Sequence, residues 1–151
     1  MPHRPIRFPR LGLDGKGSIA PMTTINVTFP GGKRVDAECG GFTCKTDQPP
    51  EAGGEGSAPQ PFDLFLASIA TCAGIYVKGY CDARGLATEG LGLVVHVERE
   101  PGKARVARIA IDIKRPPGFP EKHKEAVIRA ADLCAVKKHI FQPPAFEIRT
   151  V

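Results

Sequence analysis

The sequence has no tryptophan, only two tyrosines and only two methionines, so it offers little of the aromatic surface on which proteins stack nucleic-acid bases. It has no block of like charge longer than three residues, and a net charge of +5 over 151 residues is too mild to demand a phosphate backbone as partner. His3, His96, His123 and His139 form no HxH or HxxxH group, no serine lies in a nucleophile elbow, and the glycine-rich stretch lacks a following Lys-Ser/Thr. A histidine metal site, a serine hydrolase and a P-loop are thereby set aside. The first residues carry Arg4, Arg7, Arg10 and Lys16 but no apolar run like a secretory signal, so a cytoplasmic location is expected. The longest apolar stretch, Leu64 to Val77, has fourteen residues, short of the roughly 20 that span a bilayer. It is expected to be buried in protein rather than in a membrane.

Five cysteines, at 39, 44, 72, 81 and 134, are an odd number in a chain with no export signal, which argues for reduced thiols over a disulfide framework. With 42% apolar and 25% charged residues, the chain suits one globular domain. Residues 1–21 are broken by Pro and Gly and lack periodicity, so they read as a loosely held extension to a domain at 22–151.

Ile25, Val27 and Phe29 alternate with polar residues, Pro30-Gly31-Gly32-Lys33 forms a turn, and Val35 and Ala37 resume the alternation, which predicts a hairpin. A short strand is expected around Phe42 to Lys45, and Asp47 to Gln60 has the composition of a long mobile loop. From Pro61 a long helix is expected, with Asp63 near its positive N-terminal end and Gly85 just past its C-terminus. Two strands follow, with Leu91, Leu93, Val95 and Val97 on one face of the first and Ala107, Ile109, Ile111 and Ile113 on one face of the second. Ala126, Val127, Ala130, Ala131 and Cys134 recur at helical spacing, and Phe146, Ile148 and Thr150 alternate as in a final strand. Short turns between neighbouring strands favour antiparallel sheets, an α+β fold with helices packed on one side.

Cys72 and Cys134 each have two readings. Cys72, in the middle of an apolar helix, is either a small hydrophobe of the core or a thiol activated by donors from elsewhere in the fold. Cys134 either completes the apolar stripe or draws thiolate character from Lys137, Lys138 and His139. Cys81 lies nine residues after Cys72, half a rotation around the helix, and so cannot pair with it there. Cys39 and Cys44 form C-x4-C without a second ligand pair, so no metal site is assigned.

The run Ser57-Ala58-Pro59-Gln60-Pro61-Phe62-Asp63-Leu64-Phe65-Leu66-Ala67-Ser68-Ile69-Ala70-Thr71-Cys72 resembles the OsmC/Ohr helix that leads from Pro-x-Glu/Asp-Leu to the first reactive cysteine. Ala130-Ala131-Asp132-Leu133-Cys134-Ala135-Val136 resembles the second-cysteine motif of that family, nearest its YhfA-like branch. The pattern is departed from in two places, before Cys72 and after Cys134. Asp63 stands nine residues before Cys72 where well-characterised members have Glu at ten, a place held here by Phe62. Ala135 and Lys137 stand where the family commonly has Pro or Ser, and Ser.

The resemblance implies an intertwined homodimer whose long central helix carries the first reactive cysteine. It implies a peroxidase without cofactor that reduces organic hydroperoxides through Cys72 and Cys134, with an external dithiol as reductant. Asp63 would be the acidic site residue, and Arg34, or its neighbour Lys33, would be the cation supplied across the dimer. The alternative is a non-enzymatic dimer of the same type that binds a small apolar ligand or senses redox state.

Overall fold

The computed structural model describes residues 23–150. Its order is β1 (Asn26–Gly31), β2 (Arg34–Cys39), β3 (Phe42–Cys44), α1 (Pro61–Asp82), β4 (Gly92–Arg99), β5 (Val106–Lys114), α2 (Lys124–Asp132) and α3 (Ala135–Phe141). The expected extension at 1–21 lies outside the described residues.

β1, β2 and β3 form an antiparallel sheet. Its register sets Val27 opposite Ala37, Ala37 opposite Cys44, and Cys39 opposite Phe42, so these residues share one face. Cys39 and Cys44 are thus diagonal neighbours, roughly 7–8 Å apart at that position in a sheet, which is wide for a disulfide. β4 and β5 pair in the register that puts Leu93 opposite Ile113, Val95 opposite Ile111 and Val97 opposite Ile109, the two apolar rows anticipated from alternation.

α1 starts at Pro61, with the Gln60 amide donating to Asp63 Oδ2 at 3.3 Å. It ends with the Leu86 amide donating to the Cys81 carbonyl at 3.0 Å and the Gly85 amide to that of Asp82 at 3.2 Å. Gly85 has φ +61°, the left-handed stop that glycine provides. By length and composition α1 would also pass as a membrane span. Its i, i+4 row Ile69, Ala73, Val77 and Cys81 is instead buried in the protein, the last two packing with Val127 of α2. The other α1 faces are less covered than the all-round apolar sequence predicts, with Ile75 65% exposed.

Three expectations are corrected. The segment 47–60 is not a loose loop: it closes around Asp47, which is 1% exposed. The Asp47 carboxylate accepts from the amides of Gln48 (2.8 Å), Glu55 (3.2 Å) and Ser57 (3.0 Å) and from Ser57 Oγ (2.7 Å). Secondly, the helix carrying the apolar stripe breaks at Cys134, so Lys138 does not continue the Cys134 face. Thirdly, residues 143–150 form no strand, and Phe146 and Ile148 are 80% and 97% exposed. A strand needs an edge to pair with, and within one chain this segment meets none.

The donors around Asp47, those of Ser57 foremost, lower its pKa from 3.8 to about 2. A depressed carboxylate stabilises the fold above its unfolded pKa and loses that contribution as the pH falls through the folded value. The contribution is therefore complete above pH 3.8 and gone below about 2. Asp47→Asn is expected to lower Tm at pH 7 and to narrow its gap to the parent as both are acidified through this window. A gap that stays constant from pH 6 to 2 would rule out a charged Asp47 as the clasp of the loop.

Candidate functional site

Cys72 projects from the middle of α1 and is half-buried, while Cys134 is fully buried in the turn between α2 and α3. The turn brings the two together. Cys134 leaves the helical conformation at φ −43° and ψ 118° and caps α3, its Sγ accepting the Lys137 amide at 3.4 Å. Its thiol also faces the Ile69 carbonyl at 3.8 Å, one turn before Cys72 on α1.

The capping geometry turns the first amides of α3 toward Cys72. The Val136 amide is the largest influence and lowers the Cys72 pKa against the opposing effect of burial, with further lowering from the Cys134 thiol and the Ala135 amide. Cys134 shifts the other way: burial, more than anything else, raises its pKa, and the neighbouring Cys72 adds to the rise, against a lowering contact from the Lys137 amide. The two shifts have different causes. Nearby peptide N–H groups favour the charged form at Cys72, while burial favours the neutral thiol at Cys134, which faces the Ile69 carbonyl.

Cys72 opens onto an apolar groove of about 650 Å³, floored by Ile75, Tyr76, Gly79 and Tyr80 of α1 and closed by Leu133. These α1 positions follow Cys72 at three, four, seven and eight residues, one stripe of the helix. The Tyr80 hydroxyl lies 2.8 Å from His123 Nδ1, and the Arg84 guanidinium covers its ring at 3.9 Å, so the far wall is held in place. A second cavity of about 530 Å³ lies between β5 and α2, over Ile109, Ile111 and Ile113, and neither thiol lines it.

The remaining site candidates stand apart from the sulfurs within this chain. Asp63 caps α1, about 14 Å along the axis from Cys72 at 1.5 Å per residue. Arg34 is spent on its own hairpin, donating to the carbonyls of Gly31 (3.4 Å) and Pro30 (3.3 Å). Lys137 contributes its amide to Cys134 but pairs its ammonium with Asp132, and His139 donates to the Ala135 carbonyl. The groups that sequence reasoning missed are the Ala135 and Val136 amides, which favour the charged form of Cys72. No side-chain pattern announces them, because the apolar stripe runs on to Cys134 and masks the break. Among the described residues no group of three or more His, Cys, Asp or Glu side chains could hold a metal ion.

Residues 54–149, more than half of the chain, match the family model for OsmC-like proteins. The chain belongs to the OsmC-like family. Among solved structures of this type, a protein of Psychrobacter arcticus called an osmotic stress induced and detoxification response protein is 26% identical. That match covers 80% of this chain and 89% of the other, with a TM-score of 0.65. An organic hydroperoxide resistance protein OsmC of Legionella pneumophila is similar at 19% identity and TM-score 0.55, over 82% and 91% of the two chains. An OsmC-like protein of Mycoplasma pneumoniae is similar at 14% identity and TM-score 0.63, over 83% and 91%. At these identities the last two speak for the OsmC-like fold alone. No curated protein sequence matches the chain.

Proposed function

We propose that this OsmC-like protein is a thiol peroxidase for organic hydroperoxides, with Cys72 as the attacking thiolate and Cys134 as the resolving thiol. The observation that carries the reading is a half-buried Cys72 opening onto an apolar groove, with the buried Cys134 held nearby in the turn between α2 and α3. Cys72 S⁻ attacks the distal oxygen of ROOH, the O–O bond breaks, and the leaving alkoxide takes a proton to become ROH. The resulting Cys72 sulfenic acid condenses with the Cys134 thiol, forming the S–S bond and releasing water. An external dithiol then reduces the disulfide by exchange and is itself oxidised, which fits a cytoplasmic setting.

The working unit in this reading is a homodimer. Ile25, Phe29, Phe42, Phe146 and Ile148 are each more than half exposed in the single chain, an apolar surface that a second copy would cover. The partner's hairpin would then carry Arg34 toward Cys72, and Asp63 would orient it. A non-enzymatic sensor is the second reading, favoured by the engagement of Arg34 and Asp63 within their own elements. Turnover decides between them. Continuous consumption of cumene hydroperoxide with a dithiol in excess supports the enzyme, and a single stoichiometric oxidation supports the sensor.

The groove makes a second test available. A Cβ built on Gly79 meets nothing within 4 Å, so Gly79→Leu would fill the groove floor without displacing backbone. It is expected to lower kcat/KM for cumene hydroperoxide by roughly tenfold or more, the scale at which pocket volume discriminates, and to affect hydrogen peroxide little. Equal losses on both substrates would show that the groove is not where the organic group lies.

A further inference from the structure

We propose that the Asp132–Lys137 ion pair is a positioning device for the thiol pair, closing the break between α2 and α3 and so holding Cys134 and the first turn of α3 beside Cys72. This rests on the reading of Cys72 as a thiolate and identifies what keeps it one.

α2 ends at Asp132 and α3 begins at Ala135, with only Leu133 and Cys134 between them. A helix of seven residues does not hold its own direction in water, so α3 has to be tied at its start. The Leu133 and Cys134 amides bond back into α2, to the carbonyls of Ala130 (3.0 Å) and Ala131 (3.3 Å), and the Lys138 amide bonds to Cys134 (3.1 Å). Two further links, both from Lys137, reach from the first turn of α3 back across its start: its amide to Cys134 Sγ, and its ammonium to the Asp132 carboxylate. The first depends on the sulfur, which accepts hydrogen bonds poorly once it is in a disulfide. The second is indifferent to redox state.

Both charges are placed against their helices. Asp132 stands in the last turn of α2, where carbonyl ends disfavour an anion, and Lys137 in the first turn of α3, where amide ends disfavour a cation. Both side chains line the second cavity, whose other charged groups are Asp112, Arg115 and Lys124. Together Asp132 and Lys137 bracket Cys134. Lys137 is also a position at which the sequence departs from the OsmC/Ohr motif. No carboxylate or ammonium group lines the Cys72 groove among the described residues. The titratable groups there are Cys72 itself, Tyr76 and Tyr80, with Cys134 facing Cys72 from the turn. The pair therefore acts through the backbone of the turn rather than by its own field.

The test is the pH dependence of Cys72 alkylation by iodoacetamide in the full chain, read at that residue by peptide mass spectrometry, for Asp132→Asn, Lys137→Met and the exchanged pair Asp132→Lys/Lys137→Asp. Each single variant is expected to slow Cys72 alkylation at pH 7 by about three- to tenfold and to move the profile to higher pH, since one pKa unit is tenfold in thiolate. The exchange restores the bridge with both charges on favourable helix ends and is expected to return the rate to within about twofold of the parent. Asp132 is exposed, so Asp132→Asn reports even where Lys137→Met fails to fold. Single variants with the parent profile, or an exchanged pair as slow as the singles, would overturn the clamp while leaving the thiolate intact. A parent profile with the midpoint of an ordinary thiol would overturn both.

Discussion

Cys72→Ser is expected to reduce consumption of organic hydroperoxide to the uncatalysed background, whereas Cys134→Ser is expected to retain one oxidation per chain. The difference follows from where the proton sits. Cys72 is the sulfur whose pKa is lowered, chiefly by the Val136 amide, and Cys134 is the one whose pKa burial raises. A serine at 72 in the same amide contacts would remain a neutral hydroxyl, because its intrinsic pKa lies far above that of a thiol. A serine at 134 leaves the Ala135 and Val136 amides in place and can itself donate a hydrogen bond, so Cys72 keeps its activation. The Cys134→Ser protein should then yield one sulfenic acid, trapped by dimedone, and over-oxidise toward sulfinic acid for want of a resolving thiol. Cys81→Ser should change neither result, since Cys81 belongs to the buried row of α1 and not to the groove. Dimedone labelling of the Cys72→Ser protein with none of the Cys134→Ser protein would reverse the two roles.

Gly54→Ala is expected to be far more damaging than its position in a surface loop implies, costing about 3 kcal/mol, or roughly 10 °C in Tm for a chain of this size. A Cβ at Gly54 would lie 1.9 Å from the Gln48 carbonyl oxygen, 2.5 Å from its carbon and 2.9 Å from Asp47 Oδ1. Two of these are backbone atoms that cannot rotate aside. Relief would require opening the same ring of bonds that closes the loop, including the Gly54 amide to Pro49 (3.1 Å) and the Gly56 amide to Gln48 (3.0 Å). The consequence reaches the site, because the Asp47 amide is tied to Pro59 at 3.2 Å, immediately before the α1 cap. Thermal unfolding checks it, and a Gly54→Ala melt within about 2 °C of the parent would show that the loop is not closed around Asp47.

The parts of this fold that were legible in the sequence are those whose signal is periodic and local. β4 and β5 show two alternating apolar rows that the register then joins, and α1 is framed by Pro61 and Gly85. The order of the 47–60 loop was hidden because its organiser is one aspartate whose partners are mainly backbone amides, and amides carry no residue identity. The break at Cys134 was hidden for a related reason. Ala130 and Cys134 are both buried at helical spacing, so periodicity runs through a point where the backbone does not. The two cysteines could be named from motif resemblance, but what activates Cys72 could not. The sequence implies that donors must come from elsewhere in the fold, but the peptide N–H groups near Cys72 carry no residue identity by which to name them. In the C-terminal segment the opposite error occurred: Phe146 and Ile148 alternate as a strand does, yet pairing depends on an edge that the isolated chain does not offer.

The central claim is that Cys72 and Cys134 act as one redox pair, and the most direct measurement is an anaerobic thiol count before and after one equivalent of cumene hydroperoxide. The account predicts the loss of two thiols per chain, consumption of the peroxide, and a peptide-mapped Cys72–Cys134 disulfide with Cys39, Cys44 and Cys81 still free. All five thiols surviving while the peroxide persists would contradict it.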